Sequence, residues 1–165
     1  MGTLTQSRLQ KLLHYESETG LFVRLTKSAP CVKIGDVAGY VDPRGYVKIS
    51  VDGRLYKAHR LAWLYMVGQW PNGEVDHRDA NFCNNRWSNL REATRTQNIA
   101  NGRIHRDNVS GFKGVVWHEQ SKKWRARIYV EGKSVSLGLH DSPDAAHIAY
   151  VIAAQKYFGE FARAS

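Results

Sequence analysis

Apolar positions along the chain change period twice. In residues 4–14, Leu9, Leu12 and Leu13 recur at helical spacing behind Thr5, a residue type that caps helix N-termini, and they predict a short amphipathic helix. Across residues 20–58 the pattern turns to short β-prone runs at 21–23, 37–41, 46–51 and 55–57. Pro43-Arg44-Gly45 breaks them, as does Asp52-Gly53, a pair that marks a tight hairpin. Residues 59–67 then read as a buried helix closed by Gly68, and Pro71-Asn72-Gly73 turns the chain. A polar stretch without periodicity, 101–108, is the best linker, with a domain boundary in it.

Beyond it the spacing predicts strands at about 112–118, 124–130 and 133–139, then a helix from Ser142-Pro143-Asp144 to Gly159, with serine as cap and proline at the first helical position. In 124–130, Trp124, Ala126, Ile128 and Val130 fall on one face and Arg125, Arg127 and Tyr129 on the other; Val135 and Leu137 likewise oppose Ser134 and Ser136. The helix is expected to lay Ala145, Ile148, Ala149 and Ile152 against this sheet as a small-residue stripe. The other sheet face is left open, carrying Lys113, His118, Arg125, Arg127 and Tyr129.

Composition narrows the partners. With 165 residues and 42% hydrophobic content the chain can bury a core, in one medium domain or two small ones. Apolar runs are too short to span a bilayer, and Met1-Gly2-Thr3-Leu4-Thr5 lacks signal-peptide order, so a soluble, cytoplasmic protein without membrane attachment is expected. Cys31 and Cys83 stand far apart, which favours reduced thiols over a disulfide and supports no structural zinc. Net charge +9 points to a polyanion, with nucleic acid ahead of a membrane, and the excess is spread as +5 over residues 1–102 and +4 over 103–165.

The chemistry concentrates in 74–98, polar, rich in asparagine and too long for a casual turn. Asp76 is a hard oxygen ligand for Mg²⁺ or Mn²⁺, and His77 can accept a proton near neutral pH. On a strand these neighbours point to opposite faces, so a twist or bulge is needed to bring both to one phosphate. Thr94-x-x-Gln97 has the form of a capping box, which starts a helix near 94 and sets Asn98 one turn in. A carboxylate on a strand and an amide on a helix can then converge on one ion.

Residues 59–98 resemble the HNH nuclease family, in particular the homing endonucleases of phages and prophages. The motifs that carry the resemblance are Ala-His-Arg-Leu-Ala at 58–62, Val-Asp-His at 75–77, Asn-Asn-Arg at 84–86, Ser-Asn-Leu-Arg at 88–91 and Asn98. It implies a ββα-metal site: Asp76 and Asn98 holding one divalent cation, His77 as general base, and Asn89 holding both the hairpin and the imidazole. Many relatives have glycine where this chain has Ala80. His59 reads first as a structural residue and alternatively as facing the site; Arg86 and Arg91 either clamp phosphate or pin the hairpin.

Residues 110–165 are similar to the Apetala-type (ethylene-response-factor) DNA-binding domain through Gly114-Val115, Trp124-x-Ala126-x-Ile128, Leu137-Gly138, Asp144-Ala145-Ala146, Ala149-Tyr150 and Gly159. That family lays its sheet in the major groove, which implies DNA contact by Lys113, Arg125, Arg127, Tyr129, Ser134 and Ser136; Val116 and His118 depart from the plant pattern.

The expected fold class is therefore α+β. A nuclease domain at 1–102 (core 59–101, with a helix and β-rich part at 1–58) is followed by a linker at 103–109 and a three-stranded antiparallel sheet on one helix at 110–165. The expected function is site-specific endonuclease action on double-stranded DNA with one divalent cation, leaving 5′-phosphate and 3′-hydroxyl. One motif implies nicking by a monomer, and cutting both strands calls for a dimer or two events. The alternatives are a DNA-binding regulator with an inactive nuclease half, or a restriction or defence nuclease.

Overall fold

The computed structural model describes residues 3–104 and 107–163. Met1 and Gly2 at the start of the chain, His105 and Arg106 of the expected linker, and Ala164 and Ser165 lie outside the described residues. The chain forms two compact units, Met1–Glu92 and Ala93–Ser165.

The first unit opens with α1 (Gln6–Leu12), whose Thr5 hydroxyl accepts from the Arg8 N–H as the sequence predicts. The helix ends at Leu12, two residues before the end of the expected stretch 4–14, because Leu13 opens β1 (Leu13–Glu16). Leu13 is buried in either conformation, so helical spacing cannot place it, while the inward alternation Leu13, Tyr15 belongs to a strand. β1 pairs antiparallel with β2 (Leu21–Arg24). β3 (Tyr40–Val41), β4 (Val47–Val51) and β5 (Arg54–Lys57) form an antiparallel sheet in that order. The β4–β5 turn is Asp52-Gly53, with φ of 48° and 74°; positive φ at both residues matches the twist of the flanking strands.

β5 runs directly into α2 (Ala58–Val67), capped by Gly68. Leu9, Leu13, Phe22, Ile49, Leu61 and Leu64 are fully buried and tie α1, the hairpin, β4 and α2 into one core. Each contributes roughly 1.5–3 kcal/mol relative to exposure. This packing fixes the start of α2, and with it His59, beside the β3–β4 turn that carries Tyr46. β6 (Glu74–His77) then pairs with β7 (Leu90–Ala93), preceded by a single 3-10 turn at Trp87–Asn89.

The second unit begins with α3 (Arg95–Asn101), so β6, β7 and α3 follow one another along the chain. β8 (Val115–His118), β9 (Lys123–Val130) and β10 (Lys133–His140) form an antiparallel sheet in the order β10-β9-β8, covered by α4 (Pro143–Phe158). The Ser142 hydroxyl caps α4 and proline opens it, as expected. The α4 face is a correction. Of the expected stripe Ala149 does pack against the sheet, beside Ala146, Tyr150, Ala153, Ala154 and Phe158, whereas Ile148 and Ile152 are 60% and 65% exposed. The helix is apolar almost all round, so two faces satisfy the same spacing, and the sheet selects the one whose alanines allow close approach.

The packing division falls earlier than the linker expected at 103–109. Ala93 and Ala100 join the core formed by Ile128, Tyr150 and Phe158, so α3 packs with the C-terminal unit. Among the described residues no helix is long and apolar enough to cross a membrane.

Candidate active site

The loop between β6 and β7 is held by side chains of its own asparagines and Asp79. Asn89 Oδ1 accepts from the Asp79 N–H at 3.1 Å, and its Nδ2 donates to Asp79 Oδ1 at 2.9 Å and to the Asn84 carbonyl at 2.8 Å. Asn84 Nδ2 in turn donates to Asp79 Oδ2 at 2.7 Å, and Asp79 Oδ1 accepts from the Asn81 N–H. Burial pushes the Asp79 carboxyl up, and these hydrogen bonds together outweigh it, so its pKa lies below the ordinary value. Asp79 is thus a loop residue. Ala80 has φ of 54°, the left-handed conformation that a glycine would adopt freely.

His77, at the end of β6, is buried. Its Nε2 lies 3.1 Å from Asn85 Oδ1. The role expected of Asn89 is therefore divided: Asn89 holds the loop, and the imidazole is held by Asn85. Asn89 has its Oδ1 and Nδ2 engaged by Asp79 and the Asn84 carbonyl, while the turn brings Asn85 inward. His59 presents its ring edge-on to His77 at 4.9 Å between centroids, and Tyr46 lies 5.5 Å from His59 and 6.4 Å from His77. Phe82 stacks on Tyr46 at 4.4 Å, with the Lys57 ammonium 3.8 Å from the Tyr46 ring centroid. Asp42 Oδ1 fixes this turn by accepting from the N–H groups of Arg44 and Tyr46.

Burial drives the His59 pKa down to about 2, with the charges of His77, Lys57 and Arg60 adding to the effect. Burial also lowers His77, against the Asn85 hydrogen bond and the carboxylates of Asp79 and Asp76. Both rings are accordingly neutral near pH 7, the form in which an imidazole can take a proton.

Asp76 has a different partner. Arg91, from β7, places Nε 2.9 Å from Asp76 Oδ2, with the two side chains 7% and 4% exposed. Arg91 is thus a buried counter-ion to the carboxylate, whereas Arg86 is exposed. Asn98 sits one turn into α3, behind a complete capping box: the Thr94 hydroxyl accepts from the Gln97 N–H, and Gln97 Oε1 accepts from the Thr94 N–H at 2.8 Å. Among the described residues no three of His, Cys, Asp or Glu gather at one point. Taken singly, a carboxylate oxygen and an amide oxygen are each hard donors of the kind Mg²⁺ or Mn²⁺ accepts.

In the C-terminal unit the register sets the open face. Arg125 opposes Val116, Lys123 opposes His118, Ser136 opposes Arg127 and Ser134 opposes Tyr129, which puts His118, Arg125, Arg127, Tyr129, Ser134 and Ser136 on one side of the sheet. Lys113 is a correction. Its ammonium donates to the carbonyls of Ala100 and, at 2.6 Å, Gly102, so it caps the C-terminus of α3 instead of joining the open face. Burial brings its pKa down to about 8.

Sequence reasoning missed Tyr46 and gave Asn85 no task. Asn85 carried a signal as a member of the Asn84-Asn85-Arg86 triplet, but Tyr46 reaches the site only through tertiary packing.

The profile of the HNH endonuclease family matches residues 56–100, and that of the AP2 domain matches residues 110–160. Among solved structures, the HNH homing endonuclease I-HmuI, studied for its DNA binding and cleavage, aligns over 88% of this chain and 84% of its own at 20% identity and a TM-score of 0.43. Protein 3.8 of Escherichia phage T7 is 31% identical over 115 residues, which span 67% of this chain and 93% of that protein. With a relative this similar over nearly its full length and two matching profiles, the chain belongs to the HNH endonuclease family and carries an AP2 domain as its C-terminal module.

Proposed function

We propose that this protein is a site-specific DNA endonuclease of the homing type that hydrolyses one phosphodiester of duplex DNA with His77 as general base and one divalent cation, Mg²⁺ or Mn²⁺, held by Asp76 and Asn98. The observation that carries the reading is the buried, neutral His77, adjacent in sequence to Asp76 and hydrogen-bonded at Nε2 by Asn85. His77 takes a proton from water as the oxygen attacks phosphorus; the P–O3′ bond breaks, and the 3′ oxygen gains a proton from solvent. The products carry 5′-phosphate and 3′-hydroxyl. Base catalysis of this kind contributes typically ~10²- to 10⁴-fold. The cation supplies charge neutralisation at the phosphate and the departing oxygen.

Asn98 is assigned as a ligand from its place in the sequence, following the capping box that starts α3. Arg91 is the counter-ion that orients the Asp76 carboxylate. Arg125, Arg127 and Tyr129 of the AP2 sheet supply duplex contacts, with arginine able to reach guanine edges in the major groove. A chain with one such centre nicks as a monomer. Incubation of target-bearing supercoiled plasmid with Mg²⁺ should give nicked circles from the wild type and none from His77→Ala or in the presence of chelator. Cleavage that persists unchanged in His77→Ala refutes the assignment.

A further inference from the structure

Asn85 is 2% exposed, and both ends of its carboxamide are engaged. Nδ2 donates to the Cys83 carbonyl at 3.2 Å, a group that can only accept. That hydrogen bond fixes which end of the amide faces the histidine, and the oxygen pointing at His77 Nε2, 3.1 Å away, can likewise only accept. The proton must therefore sit on Nε2, and in the neutral ring the lone pair is on Nδ1.

The backbone of Asn85 is itself clamped from outside the stretch that matches the nuclease profile. The Tyr15 hydroxyl, on β1, donates to the Asn85 carbonyl at 2.6 Å in a buried hydrogen bond. The Trp87 N–H donates to the Ser17 carbonyl at 3.0 Å. Gly20, between β1 and β2, lies so close that an added Cβ would stand 2.4 Å from the Asn85 carbonyl carbon and from the Arg86 nitrogen.

We propose that Asn85 is the positioning residue for His77: its carboxamide locks the imidazole as the Nε2–H tautomer, leaving Nδ1 to take the proton from water, and the β1–β2 hairpin holds Asn85 in place to do so. The catalytic half of this inference rests on His77 being the general base; the tautomer half does not.

The test uses the full, metal-free chain labelled with ¹⁵N-histidine, with imidazole shifts read above pH 7. The wild type should show a protonated Nε2 and an unprotonated Nδ1 at His77. Asn85→Leu removes the acceptor and should give averaged shifts, with kcat reduced roughly 3- to 10-fold, the scale of one hydrogen bond, and KM for DNA unchanged. Asn85→Asp keeps an acceptor and should retain the wild-type tautomer. Tyr15→Phe should give a smaller change in the same direction as Asn85→Leu. An Nδ1–H tautomer in the wild type overturns the proposal by itself, whether or not the variants fold, and so does an Asn85→Leu protein with wild-type shifts and kcat. An Nε2–H wild type whose cleavage survives His77→Ala would instead remove the general-base reading, and with it the catalytic half of this proposal.

Discussion

Replacing Arg91 with methionine keeps most of the side-chain volume and removes the charge beside Asp76. The pair is closed to solvent, with Nε and Oδ2 2.9 Å apart and the side chains 7% and 4% exposed. An exposed ion pair would be worth ~0–1 kcal/mol, because water screens it and two long side chains lose freedom to make it. A buried carboxylate stripped of its partner cannot be rehydrated, and breaking such pairs costs about 3–5 kcal/mol. The expected loss for Arg91→Met is therefore about 3 kcal/mol or more, a fall in Tm of at least roughly 10 °C in a unit of this size.

The companion variant, Arg91→Met with Asp76→Leu, replaces both charges with apolar groups and should recover most of that loss, since the cost lies in the orphaned charge and not in the missing attraction. Urea unfolding followed by fluorescence of Trp63, Trp70 and Trp87, all in the first unit, measures both variants. Mg²⁺ should restabilise the single variant as its concentration rises and leave the double variant unchanged, because only the former keeps the carboxylate. A single variant within about 1 kcal/mol of the wild type, or a double variant no better than the single, refutes the buried-pair argument.

Gly20→Ala should cost about 2–4 kcal/mol by urea melts, because φ is 77° and the new Cβ would stand 2.4 Å from backbone atoms of Asn85 and Arg86 that cannot swing away. For His59, the unfolded chain takes up a proton near pH 6.5 while the folded protein resists it down to about pH 2. Stability should be complete above the unfolded value and fall below it by roughly 1.4 kcal/mol per pH unit per histidine. His59→Gln should flatten that slope by one proton between about pH 6 and 4.5, and an unchanged slope would contradict burial of a neutral ring. Arg125→Ala with Arg127→Ala should lower duplex affinity and reduce the salt slope by roughly 0.9 for each phosphate no longer neutralised; an unchanged slope would show that the sheet face does not touch the DNA backbone.

The sequence by itself determined whatever depends on neighbours along the chain. Thr5, Ser142 and the Thr94–Gln97 pair cap the helices they were expected to cap, Asp52-Gly53 turns β4 into β5, and strict alternation in β9 placed Arg125, Arg127 and Tyr129 on one face. These signals are local, since a cap or a two-residue turn involves residues within a few positions of one another. The motif register likewise singled out Asp76 and His77 as candidates before any fold was known. Only the tertiary structure decided which side chains complete the site. α4 is apolar on nearly every side, so its buried face was chosen by the sheet and left Ile148 and Ile152 outside. Lys113 read as one more basic residue until the C-terminal carbonyls of α3 were found around its ammonium. Asn85 and Asn89 are the same residue type four positions apart, and nothing in their order says which one meets the imidazole. That choice is made by Tyr15 and Gly20, which lie far from Asn85 in the sequence and are brought against it only when the core between α1, the β1–β2 hairpin and α2 closes.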